Sequence, residues 1–193
     1  MEKTGEEIMY LIVGLGNPEE EYSETRHNMG FCTIDKLAKQ YNIEINKSKF
    51  KGLYGMGLIE EEKVVLLKPQ TYMNLSGESI REVIDFYKIE KEKIIIIFDD
   101  IDIEPGSIKI RKQGGPGSHN GMKSVVNHLA QKEFFRIRIG IGKPVNKDRI
   151  IEYVIGKIPK EDKEKLEEGT TIAKDGVIEI IKNGIDKAMN KFN

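Results

Sequence analysis

Apolar residues recur along this chain in two rhythms, and the switches between them predict its elements. "YLIVGLG" (10–16) is a continuous apolar run stopped by glycines, the pattern of a central strand covered on both faces. In "GFCTIDKLAKQY" (30–41), Phe31, Ile34, Leu37, Ala38 and Tyr41 return at helical spacing. "GLYGMGLIEEEKVVLLKP" (52–69) reads as a hairpin turning at Glu60–Lys63. Ser76 is placed as the N-cap of the next helix, "GESIREVIDFYK", whose Ile80, Val83, Ile84 and Tyr87 share one face. "KIIIIFDD" (93–100) is the clearest strand, ending on two aspartates, and "SIKIR" (107–111) alternates like a half-exposed strand. A glycine loop, "QGGPGSHNG", leads into a helix through "MKSVVNHLA". "FFRIRIGIG" (134–142) alternates again, with Arg136 and Arg138 on one face and Phe135, Ile137 and Ile139 on the other. From Pro159 the pattern is helical, with interruptions expected at Gly169, Gly176 and Gly184. Strands alternating with helices, without repeats or linkers, predict one α/β domain with a mixed sheet over residues 9–193, after an acidic extension at 1–8.

Composition narrows the class. With 193 residues, 33% charged and 38% hydrophobic, the chain is long enough for a real core and has a heavily charged surface. No apolar stretch approaches the roughly 18 to 20 residues of a membrane span, and the acidic start lacks a signal-peptide pattern. A lone Cys32 fits a reducing cytoplasm and simple packing. The net charge of −1 hides an asymmetry. Between Pro105 and Lys147, Lys109, Arg111, Lys112, Lys123, Lys132, Arg136, Arg138, Lys143 and Lys147 face Glu133 alone, whereas residues 1–24 carry seven glutamates and one lysine. A basic block inside a balanced protein suggests a polyanion footprint; a solvated surface is the plain alternative.

Several familiar chemistries fail on the residues. "GLG" (14–16) would need its third dinucleotide-binding glycine at Glu19, amid three glutamates. Cys32, His27, His119 and His128 lack zinc spacings, and "DDID" lacks a calcium-loop pattern. No G-x-S-x-G elbow occurs. Short polar residues at strand ends remain: Asn17, Tyr22, His27, Asn28, Asn74, Asp99, Asp102, His119 and Asn120. Such positions gather ligands in α/β sheets. A histidine with a carboxylate is the minimal general-base pair, and asparagines offer neutral donors for an oxyanion or a carbonyl. Singly, each also fits turn or cap chemistry, as Asn17 before Pro18 or Asn120 ahead of a helix.

"GLGNPEEEYSETRHNMGF", "KPQTYMNLSGES", "FDDIDIEPG", "GGPGSHNGMKSV" and "FRIRIGIGKP" together resemble the signature blocks of bacterial-type peptidyl-tRNA hydrolase, in the family's order and spacing from Met9 onward. The resemblance implies a twisted mixed sheet flanked by helices in a three-layer α/β/α arrangement. It also implies a monomer, no metal or cofactor, and cleavage of the ester joining a peptide to the 3′-terminal ribose of tRNA. By motif position, His27 is similar to the family's catalytic base and Asp99 to its carboxylate partner. Asn17, Tyr72, Met73, Asn74 and Asn120 fall at substrate-binding places, Asn120 matching the asparagine that holds the attacking water or the tRNA end. Tyr22 corresponds to the tyrosine of the cleft where the tRNA terminus stacks, and Arg111 and Arg138 to positions associated with the tRNA 5′-phosphate. Many relatives carry "GGHGGHNG", so Pro116 and Ser118 are departures that bear on loop flexibility or accessory RNA contacts. A non-catalytic RNA-binding relative, acting in splicing or as a chaperone, is the alternative, and retention of both His27 and Asp99 argues against it.

Overall fold

A computed structural model describes residues 8–193 of the chain. Residues 1–7 of the expected acidic extension lie outside the described part, and Ile8 is exposed. The element order is β1 (Tyr10–Gly14), α1 (Met29–Gln40), β2 (Lys47–Lys49), β3 (Gly52–Ile59), β4 (Glu62–Pro69), α2 (Ser76–Tyr87), β5 (Ile94–Asp100), β6 (Ile108–Arg111), α3 (Asn120–Leu129), β7 (Phe135–Gly140), α4 (Ile150–Ile155), α5 (Lys160–Asn183) and α6 (Ile185–Phe192). The seven strands form one sheet in the order β2-β3-β4-β1-β5-β7-β6. β1 runs parallel to β4 and β5, and β5 to β7, while β2–β3, β3–β4 and β6–β7 are antiparallel. The mixed sheet is as expected.

Alternation divides the core between the two sheet faces. On one, Ile12, Ile95, Ile97, Ile110, Ile137 and Ile139 pack with Ile34 and Leu37 of α1, Ala173 and Val177 of α5 and Ala188 of α6. On the other, Leu11, Val13, Leu67, Ile94 and Ile96 pack with Ile80 and Val83 of α2 and Met122 and Val125 of α3. This is the three-layer arrangement. β1 is buried at every position, which is why it reads as an unbroken apolar run. The chain leaves β1 toward β4 on one side and reaches β5 on the other, so the carboxyl ends of β1 and β5 mark a topological switch point.

Three local expectations need correction. The hairpin turns at Glu60 and Glu61, both at positive φ, so Glu62 and Lys63 are already paired with Ile59 and Leu58. Ser76 caps nothing: a 3-10 turn at Met73–Leu75 runs into α2, so Ser76 is already helical and its hydroxyl donates back to the Met73 carbonyl at 2.7 Å. α5 passes through Gly169 and Gly176, whose missing side chains let it lie close over Ile139, Ile108 and Ile110; the break comes only at Gly184, where φ is +91°. The "GLG" segment serves packing as well, since a Cβ on Gly14 would collide with the Gly30 carbonyl of α1. Burial, then Asp35 and Glu167, push the half-buried Cys32 thiol up to about 11, as suits a packing residue.

Candidate active site

Asp99, the next-to-last residue of β5, is 2% exposed at the switch point, and two histidines reach it. His27 stands in a 3-10 turn, Arg26–Asn28, directly ahead of α1, and its Nδ1 lies 3.0 and 2.9 Å from the two Asp99 oxygens. His119 is the N-cap of α3, with Nε2 2.9 Å from Asp99 Oδ1. An ionised carboxylate only accepts, so both of these ring nitrogens carry protons and donate. The consequence separates the two imidazoles. His119 is used at both nitrogens, because its Nδ1 accepts from the Met122 N–H at 3.2 Å. His27 keeps a bare Nε2 with no partner among the described residues, and His27 lines the cleft. His27 is therefore the available base, and His119 a second donor holding Asp99.

The electrostatics follow from this geometry. Burial alone would raise the Asp99 pKa, but the charges and hydrogen bonds of His27 and His119 outweigh it and hold the carboxyl well below the usual carboxylate range. For His27, burial is the largest single influence and disfavours the imidazolium; the Asp99 charge and hydrogen bond together exceed it and raise the pKa above the ordinary 6.5. Donor atoms of His27, Asp99 and His119 all lie within 4.8 Å of one another, as in a metal-ligand set, though here they are hydrogen-bonded to each other. The other "DDID" carboxylates have cationic partners: Asp100 with Arg138 and Asp102 with Lys143.

A second constellation flanks the first. The Asn17 N–H donates to Asn28 Oδ1 at 2.8 Å and Asn28 Nδ2 returns a bond to the Asn17 carbonyl at 3.0 Å, fixing the turn after β1 to the turn that carries His27. Asn17 Oδ1 accepts from the Met73 N–H at 2.9 Å, which leaves Nδ2 of this buried residue without a described partner in the cleft. Asn74, Tyr72, Met73 and Asn120 line the same cleft of about 500 Å³. The Tyr72 hydroxyl donates to Glu19 at 2.6 Å. Asn120 does not cap α3, because His119 does, so its amide is left for other use. Ile151 and Ile155 of α4, a helix the periodicity did not indicate, form an apolar wall. Tyr22 is not brought into the cleft lining: it ends the turn Glu20–Tyr22, its carbonyl taken by Thr25, and Glu21 chiefly pushes its phenol pKa up.

Arg111 and Arg138 both line the far end of the cleft. In the β6–β7 register Arg111 faces Arg136 and Arg138 faces Lys109, so the two expected arginines are diagonal neighbours on one sheet face. Arg138 Nε donates to Asp100 at 2.7 Å. The basic block is less uniform than its charge suggested, because Lys112 and Lys143 are paired with Asp186 and Asp102 from outside it. Sequence reasoning counted Asn28 and His119 among the strand-end candidates without a specific part for either, and met Asp100 and Arg136 only within "DDID" and the basic block. The signal for His119 was its place in "SHNG" at a helix start, where a side chain is positioned by capping.

Known proteins resemble this chain throughout. The family model for peptidyl-tRNA hydrolase matches residues 11–193. The peptidyl-tRNA hydrolase of Clostridium perfringens strain SM101 is 51% identical over 185 residues, covering 96% of this chain and 97% of that protein. That of Clostridium botulinum strain Alaska E43 is 54% identical, covering 96% of each. The crystal structure of peptidyl-tRNA hydrolase from Acinetobacter baumannii superposes with a TM-score of 0.91 at 40% identity, covering 99% of this chain and 97% of that one.

Proposed function

The chain belongs to the peptidyl-tRNA hydrolase family and hydrolyses peptidyl-tRNA, and on that premise we propose that His27 is the general base of the reaction, held by Asp99. The observation that carries this reading is the bare Nε2 of His27 beside a carboxylate committed to its Nδ1–H. Nε2 removes a proton from water as the water oxygen bonds to the ester carbonyl carbon. Asp99 remains ionised and stabilises the imidazolium. Negative charge moves to the carbonyl oxygen, toward amide donors supplied by Asn17 Nδ2, Asn74 or Asn120. Collapse breaks the bond to the 3′-ribose oxygen, which recovers the proton from His27, releasing free tRNA and the peptide acid.

Tyr72 and Met73 are assigned to the wall on the peptide side, and Tyr22 to substrate contacts outside the cleft lining. Arg111 and Arg138 are assigned to a tRNA phosphate, with the basic stretch 105–147 as the wider footprint. We place the catalytic unit at residues 9–193, acting as a cytoplasmic monomer without metal or cofactor. No described helix is long and apolar enough to cross a membrane. The test is incubation of purified protein with N-acetylated aminoacyl-tRNA, following release of free tRNA. Turnover that His27→Ala abolishes while tRNA binding persists supports the assignment. Turnover unaffected by His27→Ala contradicts it, and binding without any turnover in the unaltered protein contradicts the hydrolase reading itself.

A further inference from the structure

Arg136 lines the cleft yet takes no part in the scheme above. It is a charged side chain only 2% exposed. Nη2 donates to the Lys132 carbonyl at 2.8 Å, Nη1 to the Gly115 carbonyl at 3.4 Å, and the guanidinium lies 4.3 Å from the centre of the Phe134 ring. Nε is buried without a partner, and among the described residues no carboxylate pairs with the group. Burial, then Arg138, lower its pKa to about 10, which leaves it a cation at neutral pH. Its neighbours on the sheet face are Arg111, directly opposite in register, and Arg138, two residues along. The carboxylate that bonds this cluster is Asp100, held by Arg138 Nε.

A buried cation is normally matched by a buried anion, because an unpaired one is costly. Here carbonyls and a ring face offset part of that cost, and the neighbouring charges add to it. Three guanidiniums against one carboxylate leave about two positive charges, the complement of a terminal phosphate monoester, which carries about −1.5 to −2 at neutral pH. We propose that Arg136 is a third cation of the tRNA phosphate site, acting through its buried charge while Arg111 and Arg138 make the direct contacts. This rests on the reading that this end of the cleft receives a tRNA phosphate. A charge shielded from solvent ions acts with less screening than one on the surface, so Arg136 can contribute without touching the ligand.

The competing role is bracing, since its bonds to Lys132 and Gly115 support the glycine loop ahead of His119. Two substrates separate the roles: N-acetylated aminoacyl-tRNA with a 5′-monophosphate, and the same molecule with a 5′-hydroxyl. The readout is the ratio of their kcat/KM values, in which any loss from a loosened loop cancels. The unaltered enzyme is expected to favour the phosphorylated substrate about tenfold. Arg136→Met should lower the ratio at least about threefold, and Arg136→Lys, which keeps charge but loses the fork, should retain most of it. If Arg136→Met leaves the ratio intact while Arg111→Met lowers it, Arg136 is only a brace and the phosphate reading survives. A ratio of one in the unaltered enzyme removes the phosphate reading, and this proposal with it. Should Arg136→Met fail to fold, Arg136→Lys decides alone, and a ratio as low as that of Arg111→Met overturns the proposal.

Discussion

At one end of the cleft the polar groups that position His27 are bonded within the protein; at the other, three arginines share one carboxylate and a few carbonyls. Asp99 accepts from two imidazoles, Asn17 is tied to Asn28 and Met73, and His119 is fixed at both nitrogens. Among the described residues, Arg111 donates only to its neighbour's carbonyl, and Arg138 only to Asp100. Bond-breaking requires one proton acceptor in one orientation, so the catalytic end is pre-organised, its carboxylate bonded by two imidazole donors. Holding a polyanion requires unspent positive potential, so the arginine end leaves its charge uncompensated. Substitutions at the two ends should therefore fail in different ways.

The largest effect is expected at the base. His27→Ala should reduce kcat by about 10²- to 10⁴-fold with KM little changed, measured on N-acetylated aminoacyl-tRNA. A variant keeping more than about a tenth of normal turnover would place the base elsewhere. His119→Ala should cost less, about tenfold in kcat, because the base remains and only one of its partner's supports is lost. The same variant removes the cap of α3, so thermal unfolding should show a loss of about 1 kcal/mol. At the other end, Arg111→Ala with Arg138→Ala should raise KM for full-length peptidyl-tRNA about tenfold, leave kcat within about twofold, and flatten the logarithmic salt slope of binding by somewhat under one unit per contact. A short substrate lacking the tRNA 5′ end should respond little; an equal loss on both would assign the arginines to the fold. Dialysis against a chelator should change nothing. Activity lost there and restored by one divalent ion would turn His27, Asp99 and His119 into ligands.

Periodicity located the long elements well, because a strand covered on both faces and an amphipathic helix each leave a pattern that neighbours do not change. β1, β5 and α1 are of this kind. What it misjudged depended on contacts remote in sequence. Gly169 and Gly176 read as breaks, yet they are where α5 lies against β6 and β7. Ser76 read as a cap, but the turn before it had already adopted helical geometry. In the site, His27 and Asp99 were legible as a base and a carboxylate at two strand ends. The share of His119 in Asp99 was not, since it depends on a cap placed by a glycine loop twenty residues away. The burial of Arg136 was equally invisible, because alternation assigns a face without saying what covers it.

The most direct test of the central claim is the pH dependence of kcat/KM for the unaltered enzyme beside Asp99→Asn. A base must be unprotonated to act, so activity falls as pH drops through its pKa. In the unaltered enzyme that acid limb should lie above the ordinary imidazole value of about 6.5, because Asp99 raises His27 more than burial lowers it. Asp99→Asn removes the carboxylate and leaves burial, so the limb should move to lower pH while the plateau falls. A limb that stays in place in Asp99→Asn would mean that the group titrating in the rate is not His27 held by Asp99.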